Sequence, residues 1–209
     1  MTIYDITIPI SPPLAVWPGD IQYKFALGMS ISGGDSVNVG AVTMSVHTGT
    51  HADAPYHFED NGAGIDAVSL EAYIGPALVI DAAGREFIGP DVFAGLDLNE
   101  TPRVLLKTGA WTDYSVFPEY IPTLTEEATA FLASQGIRLF GVDVPSVDVL
   151  DSKTLPIHHL LNSTNIRILE SLNLHRVPPG VYELIALPLR FVGADGSPVR
   201  AILRTRAVE

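Results

Sequence analysis

The chain has 209 residues, of which 47% are hydrophobic and 17% charged, a balance typical of a packed globular protein and unlike that of a disordered one. Its 24 acidic and 12 basic side chains give a formal net charge of -12, which disfavours nucleic acid and anionic membranes as partners. The sequence contains no cysteine, so disulfides, thiolate metal sites and cysteine nucleophiles are excluded.

The length predicts a single domain over residues 1–209, since a second complete domain would need a linker that the sequence does not show. The first five residues lack the basic stretch and apolar run of a signal peptide, and no segment approaches the roughly 20 apolar residues of a membrane span. We therefore expect a cytoplasmic protein.

The first half of the chain is predicted to consist mainly of strands. Residues 1–10 place isoleucines among polar neighbours and predict a strand that ends before Pro12, after which a loop carries Trp17. Residues 38–47 alternate apolar with small or polar side chains, which predicts a strand leading directly into a histidine-rich run. Shorter elements follow, with a turn at 60–64 and buried strands at 78–80 and 103–107.

The second half contains the one clear helix signal, at residues 125–135, where Thr125 can cap the N-terminus and Gly136 can end the helix. The pattern then predicts a strand at 137–144, a helical turn near 158–161 and a strand at 165–170. Two final strands, within 182–189 and 199–203, are predicted to be joined by a turn at 193–196.

Three of the six histidines fall within eleven residues, at His47, His51 and His57, with Asp53 between the last two. Neutral imidazoles and carboxylates are the usual ligands of zinc and similar metals in a protein without thiolates. A lone histidine at the end of a strand more often has no ligand role, but four such residues together favour a metal site. Gly49 and its threonine neighbours form helices poorly, so we place the His47–His51 pair at a strand-to-loop corner.

Candidates farther along the chain are His158, His159 and Glu170, which taken alone are also consistent with an exposed helical pair and a solvated strand end. The sequence has no Gly-x-Ser-x-Gly elbow, no phosphate-binding Gly-x-x-x-x-Gly-Lys loop and no dinucleotide-binding Gly-x-Gly-x-x-Gly motif. The catalytic device that remains is water activated by a divalent metal, which can hydrolyse an amide or ester without a covalent intermediate.

The run from His47 to His57 resembles the His-x-Gly-Thr-His-x-Asp-x-Pro-x-His motif of the metal-dependent cyclase-like hydrolases. Within that family the chain is similar to the bacterial kynurenine formamidases, on segments at 11–20, 141–148, 182–189 and 196–204. The resemblance implies a mixed α/β fold of the swivelling β/β/α type, with a β-rich core and few helices. It also implies a homodimer that hydrolyses N-formyl-L-kynurenine to L-kynurenine and formate in tryptophan degradation by the kynurenine pathway.

The resemblance further implies two divalent metal ions per subunit, with zinc as the expected metal. Carried over by motif, His47, His51 and Asp53 would bind one ion, and Asp53 would bridge to a second ion. His158 would bind that second ion and Glu170 would contact both. The spacing to Glu170 favours His158 over its neighbour His159, which remains the alternative ligand.

Two further roles follow from the resemblance. Trp17 would stack on the aromatic ring of the substrate, although a tryptophan beside a Pro-Gly turn can also be a core or interface residue. His57 would be the acid–base residue: a metal-bound hydroxide would attack the formyl carbon, and His57 would deliver a proton to the departing nitrogen.

Three alternatives stay open from the sequence. The first is the same chemistry on another cyclic amide, lactam or ester such as isatin. The second is a catalytically idle protein that keeps the metal or binds a small ligand, against which an intact His57 argues. The third is a globular domain that binds no metal.

Overall fold

The computed structural model describes residues 1–205, so the last four positions of the predicted domain at 1–209 lie outside the described residues. Strands dominate the described part of the chain and only two α-helices occur in it, which confirms the prediction of a mixed α/β fold with few helices. The strands are β1 (Ile3–Asp5), β2 (Lys24–Met29), β3 (Val39–Thr43), β4 (His51–Asp53), β5 (Ile74–Asp81), β6 (Phe87–Ile88), β7 (Arg103–Lys107), β8 (Thr123–Leu124), β9 (Leu139–Val142), β10 (Arg167–Glu170), β11 (Gly180–Ile185), β12 (Gly196–Pro198) and β13 (Ile202–Arg204). The helices are α1 (Glu126–Ser134) and α2 (Pro156–Ser163).

Nine of these strands form one sheet in the order β1-β13-β11-β5-β7-β9-β10-β4-β12. The central strands β5, β7, β9 and β10 run parallel, and antiparallel pairs extend the sheet on both sides. Parallel strands are normally covered on both faces, and β7 fits this rule because its apolar residues are fully buried. The second helix leads from β9 to β10, as a parallel crossover requires.

Alternation along the central strands divides the core into two layers. Val104 and Leu106 pack with the helical residues Leu132 and Leu161 on one face of the sheet. Leu105 points to the other face, where residues from widely separated strands, including Ala52 of β4 and Leu203 of β13, belong to one apolar cluster. The sheet therefore curls around this second cluster.

The segment after β1 joins the two sides of the curled sheet. The backbone N–H of Ile8 donates to Oγ1 of Thr50 at 2.9 Å, and the N–H of Ile6 donates to the carbonyl of Ala201 at 3.0 Å. The N–H of Asn173 donates to the carbonyl of Ile6 at 2.8 Å. These bonds hold the start of β4, where His51 lies, close to the segment that follows Glu170, the last residue of β10.

The helix predicted at 125–135 is confirmed as α1, with the side chain of Thr125 accepting a hydrogen bond from the backbone N–H of Ala128. Gly136 follows in the left-handed region at φ 72°, which a glycine adopts without steric cost and which ends the helix. The predicted strand at 103–107 and the end of the strand at Glu170 are also confirmed. No helix among residues 1–205 is long and apolar enough to cross a membrane.

Several predicted elements differ from the structure. The strand predicted at 1–10 covers only Ile3–Asp5, and the one predicted within 182–189 ends at Ile185. Two further differences lie next to the site. The strand predicted at 38–47 ends at Thr43 and stops short of His47; in the described part of the chain it pairs with β2 alone, in an exposed hairpin. His47 lies in a turn and His51 begins β4, so the pair spans a turn-to-strand corner and not the end of a strand. The turn predicted at 193–196 ends one residue early, since Gly196 begins β12, which pairs with β4 at the edge of the sheet. Alternation alone could not show which strand would be the partner.

Candidate metal centre and active site

The register of β4 and β10 places the first site residues side by side. His51 lies directly opposite Glu170 in this antiparallel pair, and His51 Nε2 is 3.3 Å from Glu170 Oε2. Asp53 is two residues farther along β4, so its side chain projects from the same face as that of His51. Asp53 Oδ1 lies 3.3 Å from His51 Nε2. All three side chains are buried.

Two more histidines complete a cluster around Asp53. His47 Nδ1 lies 3.1 Å from Asp53 Oδ1, and His158 Nε2, from α2, lies 3.5 Å from Asp53 Oδ2. The same His158 nitrogen is 3.4 Å from Glu170 Oε1. The structure therefore brings together the five residues that the sequence predicted as metal ligands, although their roles stay predictions.

The buried carboxylate of Asp53 is the feature that best fits a bound cation. Within residues 1–205 neither oxygen has a hydrogen-bond partner, and an ionised carboxylate is costly to bury without compensation. Burial opposes ionisation, but the imidazoles of His158, His47 and His51 outweigh it and hold the pKa of Asp53 well below its usual value. Imidazole nitrogens and carboxylate oxygens around one buried acid are the donor set that zinc and similar divalent ions prefer.

Each of the three histidines in the cluster also has an acceptor behind its outer nitrogen. His51 Nδ1 is 2.8 Å from the carbonyl oxygen of Gly49, His158 Nδ1 is 2.7 Å from Asp148 Oδ2, and His47 Nε2 is 3.0 Å from Asp195 Oδ2. An outer acceptor of this kind holds the proton on the outer nitrogen and leaves the inner nitrogen free to bind a metal.

The carboxylates also control protonation of the cluster. Burial lowers the pKa of these imidazoles, but the side chains of Asp195 and Asp53 raise the pKa of His47 to about 9. For His51, burial is likewise outweighed by Asp53 and Glu170, and the pKa rises to about 10. Protons and a divalent cation therefore compete for the same nitrogens.

Asp148 is a functional candidate that the sequence prediction missed. Its carboxylate accepts hydrogen bonds from the backbone N–H groups of Ile157 and His158, at 3.1 and 3.0 Å, so it caps the start of α2 as well as contacting the ring of His158. Its place behind a ligand candidate could be found only from the tertiary structure, since ten residues separate it from His158.

His159 does not contact the cluster. Its exposed ring lies 3.6 Å from Glu59 Oε1, because adjacent residues of a helix point about 100° apart. Between the two candidates for the distal ligand, the structure favours His158.

His57 lies beside the cluster, in the short 3-10 turn Pro55–His57 that follows β4. The centroid of its ring is 4.0 Å from that of His47, and its Nδ1 is 3.6 Å from Asp195 Oδ2. Partial burial lowers the pKa of His57, which keeps the imidazole neutral at pH 7 and able to accept a proton. Its side chain is 33% exposed, against 3% for His51 and His158, which suits an acid–base residue more than a ligand.

A cavity of about 430 Å³ opens above the cluster and is lined by His47, His51, His57, His158 and Glu170 together with an aromatic wall. The wall consists of Trp17, Trp111 and Phe117, and the rings of Trp17 and Phe117 meet edge to face with centroids 5.3 Å apart. Trp111 and Phe117 were not predicted from the sequence, because isolated aromatic residues in a loop carry no local signal. Near the histidines, the cavity can therefore hold a flat aromatic molecule.

Lys153 and Asp20 are the charged residues of the cavity that lie outside the cluster and the turn of Asp195. Both are exposed. One side chain of each sign suits a ligand that carries both an ammonium and a carboxylate group.

Comparisons with known proteins agree with this arrangement. Residues 4–149 match the Cyclase family model, described as Putative cyclase. The chain is 48% identical over 200 residues to the kynurenine formamidase of Geobacillus thermodenitrificans, covering 96% of each chain. A predicted metal-dependent hydrolase from Bacillus stearothermophilus superposes with a TM-score of 0.81 at 32% identity, covering 97% of each chain. Isatin hydrolase A from Labrenzia aggregata, bound to benzyl benzoate, superposes with a TM-score of 0.80 at 28% identity, covering 98% of this chain and 94% of that one.

Proposed function

The chain belongs to the Cyclase family, and from that membership we propose that it hydrolyses N-formyl-L-kynurenine to L-kynurenine and formate in tryptophan degradation. The observation that carries the proposal is the buried carboxylate of Asp53, which has no hydrogen-bond partner within residues 1–205 and is surrounded by three histidines that line an aromatic-walled cavity. The 48% identity to a relative named kynurenine formamidase supports the choice of substrate.

We propose two divalent metal ions per subunit, with zinc as the expected metal. His47, His51 and Asp53 would hold one ion, Asp53 and His158 the other, and Glu170 would contact both. When bound, such ions lower the pKa of a coordinated water and polarise the carbonyl that is attacked.

The protein's own residues would bind and orient the substrate and move its proton. Trp17 and its aromatic neighbours would hold the aryl ring, while Lys153 and Asp20 would attract the carboxylate and ammonium groups of the amino-acid end. His57 would take a proton from the attacking water and give it to the amide nitrogen as the C–N bond breaks. The water oxygen is then bonded to the formyl carbon, and the products are formate and the free arylamine.

Two alternatives, an isatin-like substrate and a catalytically idle binding protein, are less well supported. Isatin carries neither an ammonium nor a carboxylate group, so Lys153 and Asp20 would have no partners in it, and the isatin hydrolase is only 28% identical. An idle binding protein would not need a partly exposed, neutral imidazole beside the cluster, and the relative at 48% identity is named as an enzyme.

The decisive test is turnover of N-formyl-L-kynurenine by matched samples as purified, stripped with a chelator and restored with zinc, followed by the absorbance of kynurenine. We expect activity that disappears on stripping and returns with zinc, and turnover of isatin at a much lower rate. Absence of turnover in a zinc-loaded sample would refute formylkynurenine as the substrate. Full activity of the stripped sample would refute metal dependence.

Replacing Trp17 with alanine tests the aromatic wall. An aromatic pair contributes about 0.5–1.5 kcal/mol beyond its buried area, so we expect the KM for formylkynurenine to rise about 10-fold with a smaller change in kcat. The Trp17→Phe variant keeps a ring and should retain most of the affinity. An unchanged KM in Trp17→Ala would contradict a stacking role and leave a packing role against Phe117.

A homodimer remains a proposal from the resemblance, and a cytoplasmic location remains a proposal from the sequence. The exposed hairpin of β2 and β3 supports a homodimer, because Phe25, Leu27 and Val42 are each at least half exposed on it. The charged residues between positions 21 and 43 are Lys24 and Asp35. This share of charged residues is low for an exposed segment of so acidic a chain. A second copy of the chain is the proposed cover for this surface.

A further inference from the structure

The turn before β12 carries Asp195, whose carboxylate contacts two histidines of different predicted function. Asp195 Oδ2 is 3.0 Å from Nε2 of His47, a predicted metal ligand, and 3.6 Å from Nδ1 of His57, the predicted acid–base residue. Within residues 1–205, this carboxylate is the acidic group that links the two rings at ion-pair distance.

The backbone, and not the side chain, fixes the position of Asp195. The carbonyl of Asp195 accepts a hydrogen bond of 2.9 Å from the N–H of Ala54, and the next residue, Gly196, pairs with Asp53 across β12 and β4. Asp195 is therefore held opposite the metal-binding strand whatever its own carboxylate contacts.

Gly196 shows how closely the ring of His47 lies against this strand. A Cβ atom at position 196 would be 2.9 Å from Cε1 of the His47 ring, closer than such atoms approach in proteins. The strand therefore needs a residue without a side chain here, and the preceding residue supplies the acceptor for Nε2 of the same ring.

We propose that Asp195 is a positioning residue shared by the metal site and the acid–base residue. It accepts the N–H of His47 Nε2, which leaves His47 Nδ1 facing Asp53 and a metal. It also occupies the Nδ1 side of His57, which leaves Nε2 of that ring for the substrate. Asp148 likewise accepts the outer N–H of His158, and the carbonyl of Gly49 accepts that of His51. Neither of these two acceptors contacts His57.

This inference rests on the proposed function for the role of His57, whereas its metal part does not. The test uses two variants, Asp195→Ala and Asp195→Asn, because asparagine keeps an oxygen acceptor but loses the charge. The matched control is Asp66→Asn, which removes one negative charge next to the same turn, where Asp66 Oδ1 accepts the N–H of Gly193, and touches neither histidine. Three quantities are measured: the zinc dissociation constant by competition with a chelating dye, the visible spectrum of the cobalt(II)-substituted protein, and kcat and KM separately.

Loss of an acceptor behind a metal-binding histidine typically costs about 10–100-fold in metal affinity or activity. For Asp195→Ala we expect a zinc affinity lower by that factor, an altered cobalt spectrum and a lower kcat at saturating zinc with little change in KM. Asp195→Asn should recover part of the metal affinity, and Asp66→Asn should match the parent protein in all three quantities.

Wild-type zinc affinity and cobalt spectrum in Asp195→Ala would overturn the role toward His47. An unchanged kcat in the zinc-saturated variant would overturn the role toward His57. Equal effects in Asp66→Asn would overturn the positioning role, because they would show that Asp195 acts only through its negative charge. The zinc and cobalt titrations contain no substrate, so they test the role of Asp195 toward His47 even if the parent protein does not hydrolyse formylkynurenine. Failure of that hydrolysis would refute the proposed function and not the metal part of this inference.

Discussion

Replacing Asp53 with alanine is expected to remove bound metal and activity together. Asp53 is the one residue of the cluster within 3.5 Å of all three ligand histidines, so its loss removes the group that both proposed ions share. A metal acting as a Lewis acid contributes several kcal/mol, which corresponds to a fall in kcat/KM of about 1000-fold or more. Metal analysis of the purified variant and turnover at saturating zinc measure the two effects.

The isosteric variant Asp53→Asn separates charge from packing. It keeps the volume of the side chain between β10 and β12, so it should fold as well as the parent protein and still lose metal. Circular dichroism and thermal unfolding would verify the fold. Zinc bound at the parent stoichiometry in both variants would contradict the assignment of Asp53 as the shared ligand, and Glu170 would then be the group to examine.

The sequence predicted the local part of this site well because its chemistry is concentrated in one short run. His47, His51, Asp53 and His57 lie within eleven residues, and imidazoles and carboxylates are the usual metal ligands in a protein without cysteine. The strand that ends at Glu170 was also predictable, since its apolar residues stop there. The contact of Glu170 with His51 depends on the pairing of β10 with β4, which no local pattern specifies.

The two carboxylate acceptors, Asp195 and Asp148, could not be predicted for a related physical reason. Asp195 is 148 positions from His47 in the chain. The residues next to Asp195 are typical of an ordinary turn between strands. Asp148 lies in the loop before the N-cap residue Leu155, and only the folded structure shows that its carboxylate contacts the start of α2 and the ring of His158. The hydrogen bonds that orient His47 and His158 come from other segments of the chain, whereas His47, His51 and Asp53 are neighbours in the sequence.

The exposed hairpin of β2 and β3 shows a second limit. Its alternating pattern correctly indicated a strand at Val39–Thr43, but alternation normally means that one face is buried, and here both strands are exposed throughout. The pattern therefore describes a surface that is apolar without being part of the core of this chain. Burial of such a face requires another molecule, which a pattern within one sequence does not identify.

Replacing His57 with alanine is the second change with a large expected effect. Unlike Asp53→Ala, it should lower activity without removing bound metal. The ring of His57 is beside the cluster and is not among the groups that surround Asp53 most closely, so the variant should bind zinc with the parent stoichiometry. General acid–base catalysis contributes about 100–10,000-fold, and we expect kcat to fall within that range. His159→Ala is the matched control, because it removes an exposed histidine that contacts Glu59 and not the cluster.

The choice of leaving group can show which proton transfer His57 performs. An arylamine leaves poorly unless its nitrogen is protonated, whereas an aryl formate ester releases a phenolate that needs no proton from the enzyme. If His57 mainly protonates the nitrogen, His57→Ala should lose far more activity on formylkynurenine than on an aryl formate. An equal loss on both substrates would assign His57 to removal of the proton from water, and full activity on both would exclude it from catalysis. Burial lowers the pKa of His57 and so favours the neutral imidazole, which can take a proton from the attacking water before it gives one to the nitrogen.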